Sequence, residues 1–173
     1  MPDSLPAPLR PSPRTQPMHL SQILTSETIS LANTASSKKK VLEEASSLLS
    51  GGSRDTPEEA IYERLLERER LGSTGVGHGV ALPHARIKGL SAPRGAFLQL
   101  TEGADFDAID NAPVDLVFAL IVPEETTQEH LQLLALLAAV FSNAALRDKL
   151  RHSASSNEIP DLFDQTELAQ SSA

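Results

Sequence analysis

Apolar and polar positions follow two rhythms along this chain. Between Ser37 and Leu49 the apolar residues recur every three to four positions. Val41, Leu42, Ala45, Leu48 and Leu49 then share one face, as in an amphipathic helix. Ser37 is placed to open that helix, and Gly51-Gly52 to stop it. Thr56-Pro57-Glu58-Glu59 reads as a capping box with proline in the first turn. The spacing predicts a second helix from there to about Arg70, with Ile61, Leu65 and Leu66 inward. A third is expected from Thr126-Thr127-Gln128-Glu129, another capping-box pattern, through an almost wholly apolar run to Phe141. That run is too short to cross a membrane and reads as a buried helix. Shorter amphipathic stretches at 143–151 and 157–168 complete the helical set, and His19 to Leu24 reads as a helical turn.

The second rhythm is that of strands. Thr28 to Leu31 reads as a short strand, Val80-Ala81-Leu82 as a short buried one ended by Pro83, and Gly95 to Leu100 alternates. Val114 to Val122 is continuously apolar, the sign of a central strand covered on both faces. Phe106 and Ile109 are expected to tuck the intervening loop against the core. Asp105, Asp107 and Asp110 lack the glycine and glutamate of a calcium loop and read as a solvated turn. The order of elements predicts a single α/β domain, a mixed β-sheet flanked by helices on both faces.

Composition changes the picture at a few points. The chain has 173 residues, a formal charge of -8, 3% aromatic residues and no tryptophan, which argues against nucleic acid as a partner. Without cysteine, thiolate metal sites and disulfides are excluded. Residues 1–17 hold six of the twelve prolines and no periodic signal. They read as a disordered, polyproline-like tail without the apolar run of a signal peptide, and 169–173 as a disordered C-terminus. Lys38, Lys39 and Lys40 occupy a helical first turn, where the dipole disfavours them; solvation is the simpler reading, use by a partner the other.

Candidate chemistry gathers in LERERLGSTGVGHGVALPHAR, residues 66–86. Gly72, Gly75, Gly77 and Gly79 fall within eight residues, suited to turns or to close approach by a ligand. His84 is expected at the strand end beyond Pro83, beside that loop. A lone histidine is more often structural than reactive, but here loop, proline and imidazole coincide. Arg68 closes the preceding helix, where it either complements the dipole or binds phosphate. His130 lies in a first helical turn, where free N–H groups favour an anion. A hydrolytic metal site on His78, His84 and His130 lacks a nearby carboxylate base.

Three blocks in order, GSTGVGHGVALPHAR after LLERERL, then FDAIDNAPVDLVFALIVP, then EHLQLLALLA, closely resemble EIIA of the fructose/mannitol class of the phosphotransferase system, and most of all its nitrogen-regulatory branch. The resemblance spans residues 18–168 and implies the phosphotransferase/anion-transport sandwich fold in a cytoplasmic bacterial protein. It implies that His84 accepts a phosphoryl group on Nε2 from an HPr-like carrier (NPr), with His130 and Arg68 completing the active site. Ser73 and Thr74 would line the phosphate rim. Neither metal nor cofactor is implied, and the downstream partners would be regulatory or transport proteins. A stand-alone sugar-specific EIIA that passes the group to an EIIB, or a binding module that is never phosphorylated, are the alternatives. Two departures stand out: His78 where asparagine is expected, and Ala85-Arg86 where relatives often carry glycine and lysine.

Overall fold

The computed structural model describes residues 19–171; the expected proline-rich tail and residues 172–173 lie outside the described residues. Two 3₁₀ turns, Leu20–Ile23 and Ser26–Thr28, lead into strand β1 (Ile29–Asn33) and helices α1 (Lys38–Ser50) and α2 (Glu58–Leu71). Strands β2 (Gly75–Gly77), β3 (Val80–Ala81), β4 (His84–Ile87), β5 (Arg94–Ala104) and β6 (Val114–Pro123) follow. Helices α3 (Gln128–Phe141), α4 (Ala144–His152) and α5 (Glu158–Ser171) close the chain. The last helix thus continues past Leu168, where it was expected to end. None of the described helices is by itself long and apolar enough to cross a membrane.

The strands form one mixed sheet in the order β1-β5-β6-β3-β2, with β4 continuing alongside β6 beyond β3. β5 pairs antiparallel with β6, Phe97 opposite Phe118, while β3 and β4 run parallel to it. β6 is therefore the central strand, as its unbroken apolar run requires. Its side chains alternate between two cores. Val117, Ala119 and Ile121 meet Val41, Leu42, Leu49, Ile61 and Leu65 of α1 and α2. Leu116, Phe118, Leu120 and Val122 meet the C-terminal helices through Leu133, Leu137, Leu150 and Phe163. Phe163 collects Phe97, Phe118 and Phe141 in edge-on contacts with centroids 5.5–6.0 Å apart.

Several local expectations are corrected. Thr56 does not cap α2: the residue before the helix is Pro57, and no side chain caps it. Thr56 is instead buried, accepting a hydrogen bond from Arg94 Nη1 on its hydroxyl and one from Ser50 Oγ on its carbonyl. A tertiary partner has taken the capping oxygen. The second capping box also fails, since α3 starts after Thr127 with no side-chain cap. Ser37 does cap α1, accepting from the Lys40 N–H. Phe106 is fully buried, but Ile109 is 85% exposed. Lys38 is not merely solvated: its ammonium reaches Glu69 at 3.5 Å and Asp107 at 3.2 Å and lies over the Phe106 ring. Two of the three aspartates serve turns, Asp105 accepting from the Asp107 N–H and Asp110 from those of His78 and Ala112, while Asp107 pairs with Lys38.

The glycine loop is a β2–β3 hairpin that turns at His78 and Gly79, with φ of 58° and 78°. Two successive positive φ angles make a type I′ turn, where asparagine-glycine is favoured and histidine is tolerated. The turn is clamped from outside: Arg151 donates to the His78 carbonyl while paired with both oxygens of Asp115. A Cβ on Gly79 would run into that pair. Gly79→Ala is expected to cost about 1–3 kcal/mol, lowering Tm by roughly 3–10 °C in a thermal melt.

Candidate active site

Pro83 interrupts the sheet without ending it. It has no N–H to give, yet its carbonyl accepts the Leu120 N–H, and pairing with β6 resumes at once with His84 opposite Leu120. His84 therefore opens a strand rather than sitting beyond one, which fixes its backbone more firmly than a loop would. The Leu82 carbonyl, in the break, lies 2.9 Å from Nδ1 of the same imidazole. A carbonyl can only accept, so Nδ1 carries the proton and Nε2 keeps a lone pair. Arg68 Nε donates to that Nε2 at 3.3 Å. The same guanidinium donates through Nη1 to the Gly72 carbonyl at 2.8 Å, which ties it to the end of α2.

His130, in the first turn of α3, stands edge-on to His84 with ring centroids 5.3 Å apart. It is only 7% exposed. Arg86 Nε donates to its Nδ1 at 3.5 Å, and its buried Nε2 has no hydrogen-bond partner among the described residues. The structure thus gathers Arg68, His84 and His130 from α2, β4 and α3 into one site.

Ser73 and Thr74, expected at the phosphate rim, have their hydroxyls engaged within the protein. Thr74 is buried and gives both its N–H, at 2.7 Å, and its hydroxyl, at 2.5 Å, to Glu69. Ser73 donates to the Phe106 carbonyl and accepts from the Gly75 N–H. These groups shape the loop. Glu69, buried between Thr74 and Lys38, is the residue that sequence reasoning missed. A signal existed: an acidic side chain in a last helical turn opposes the dipole and needs a compensating partner. His78 is exposed, away from any such network except through its backbone.

Both site histidines are held neutral. Burial pushes the His84 pKa down and the Leu82 hydrogen bond pulls it up; Arg68 lowers it and Glu69 raises it, the net being a fall below 6.5. His130 is lowered to about 4, by burial first and then by His84 and Arg86. A base whose folded pKa is depressed binds its proton more tightly when unfolded. Its full stability is present above pH 6.5 and is lost as pH falls from there toward 4. The expected loss is roughly 1.4 kcal/mol per pH unit, about 3 kcal/mol in all. His130→Gln should flatten that slope in urea titrations at pH 7.0 and 5.0; equal slopes in the two proteins would contradict the assignment.

A neutral imidazole with one unprotonated nitrogen beside a guanidinium and a second imidazole is suited to accept a phosphoryl group. The family model described as "Phosphoenolpyruvate-dependent sugar phosphotransferase system, EIIA 2" matches residues 22–166. The chain belongs to the EIIA type-2 family. It is a phosphohistidine-carrying EIIA domain, related by sequence and by structure to the nitrogen-regulatory members. The EIIA domain is 47% identical over 137 residues to a nitrogen regulatory protein of Pseudomonas aeruginosa, covering 78% of this chain and 87% of the relative. The crystal structure of nitrogen regulatory protein IIA-Ntr from Neisseria meningitidis superimposes with a TM-score of 0.78 at 41% identity, over 83% of this chain and 97% of that one. A fructose-specific EIIA component of Haloferax volcanii is 35% identical over 144 residues, covering 83% and 94%.

Proposed function

We propose that His84 accepts a phosphoryl group on Nε2 from the phosphohistidine of an HPr-like carrier of the NPr kind, and that the protein signals its phosphorylation state to regulatory or transport proteins by direct contact. The tautomer of His84 carries this reading. With Nδ1–H committed to the Leu82 carbonyl, only Nε2 can attack, and it faces Arg68. In the transfer the Nε2–P bond forms as the donor's N–P bond breaks, the electron pair of that bond returning to the donor's nitrogen. Both rings keep their protons. The His84 ring gains positive charge, which strengthens its hydrogen bond to Leu82 as the reaction proceeds. Arg68 leaves the lone pair it now covers and grips phosphoryl oxygens, where charge spreads in the transition state. His130, neutral near pH 7, supplies a further hydrogen bond.

Incubation with phosphoenolpyruvate, enzyme I and an HPr-type carrier should add the mass of one phosphoryl group in an acid-labile form. No gain with a folded protein and several carriers would favour a module that works without phosphorylation. The fructose-specific relative supports a second reading, in which the group passes on to an EIIB. Retention of the label when a fructose-type EIIB is added supports the regulatory reading; rapid transfer supports the second.

A further inference from the structure

We infer that Arg86 is a positioning residue for the transfer: its guanidinium fixes His130 as the Nε2–H tautomer, placing a proton donor beside the phosphoryl group. The inference rests on the reading of His84 as the acceptor. Arg86 lies two residues after His84 on β4, so the pleat turns both side chains to the same face. A guanidinium N–H can only donate, and Arg86 Nε–H is directed at Nδ1 of His130. Nδ1 must then hold a lone pair, and the ring proton resides on Nε2. That Nε2–H is buried and makes no hydrogen bond among the described residues. Leaving a buried donor unpaired is unfavourable, and a negatively charged oxygen arriving next to the His84 ring relieves it. Arg86 also helps to keep His130 from taking a second proton, which preserves the lone pair it addresses.

The alternative is that Arg86 only adds positive charge to the rim. The two are separated by reading the protons of His130 directly, by ¹⁵N NMR of the imidazole in the full-length, unphosphorylated protein at pH 7. The expected result for the native chain is an unprotonated Nδ1 and a protonated Nε2. Arg86→Glu replaces a donor with an acceptor and should bring the proton to Nδ1. In parallel, Arg86→Ala should slow phosphoryl uptake by roughly 3- to 10-fold, the effect of one lost hydrogen bond, while Arg86→Lys, which still donates, stays within about twofold of the native rate. A protonated Nδ1 in the native protein overturns the proposal. So does an Nδ1 that stays unprotonated in Arg86→Glu, or an alanine variant as fast as the native chain. The native and lysine proteins keep the test decisive if either other variant misfolds. Absence of any uptake by the native protein would sink the acceptor reading of His84 and leave the tautomer result standing on its own.

Discussion

His84→Ala takes up no phosphoryl group, a loss of at least about 10⁴-fold in rate, because it removes the imidazole nitrogen that Arg68 faces. The fold survives the change. The half-buried ring contributes one hydrogen bond to Leu82, so the expected destabilisation is about 1 kcal/mol. Rate and stability are thereby separated, and a melt alongside the uptake assay shows it. His84→Gln should be as inactive as alanine, since a side-chain amide offers no comparable nucleophile. Uptake that persists in either variant would mean that another residue is the acceptor.

Arg68→Ala gives the second large effect. The guanidinium is the strongest charge directed at Nε2, and removing one such group from a charge-developing transition state costs about 10²- to 10³-fold. Arg68→Lys should recover only part of this, because an ammonium cannot grip two oxygens in one plane. A pH profile adds a sign to the prediction. Arg68 lowers the His84 pKa, so its loss raises that pKa and moves the acid limb of the rate profile to higher pH. A rate defect with an unmoved acid limb would point to lost structure at the end of α2 rather than to lost charge at the nucleophile.

Much of the fold was legible because the strongest signals were periodic. The Val41-to-Leu49 stripe, the unbroken run of β6 and the apolar body of α3 each had to be covered, and the helices lie on both faces of the sheet for that reason. What failed was local chemistry that the tertiary structure redirected. Thr56 had the pattern of a cap, but Arg94 and Ser50 claim its oxygens. Ile109 had the hydrophobicity of a core residue, but it lies in a turn whose polar anchors, not its apolar side chain, hold it down. Pro83 follows the end of β3 as expected, but the resumption of pairing with β6 in β4 was not legible, because a missing N–H is visible in sequence and an accepting carbonyl is not.

The site divides in the same way. Arg68, His84 and His130 could be named from motifs, and they do converge. The role of Arg86 depends on a contact across the β4–α3 gap that no spacing encodes, and sequence marks Glu69 as needing a partner without naming Thr74 or Lys38. The hydroxyls of the glycine loop likewise meet acceptors that sequence does not announce, Ser73 the Phe106 carbonyl and Thr74 the Glu69 carboxylate.

The most direct test of the central claim is the site of attachment on the imidazole, read by ¹H–¹⁵N and ³¹P NMR of the phosphorylated protein. The hydrogen bond between Nδ1 and the Leu82 carbonyl predicts a phosphoryl group on Nε2 of His84, with Nδ1 still protonated. A phosphoryl group on Nδ1, or on His78 or His130, would contradict it.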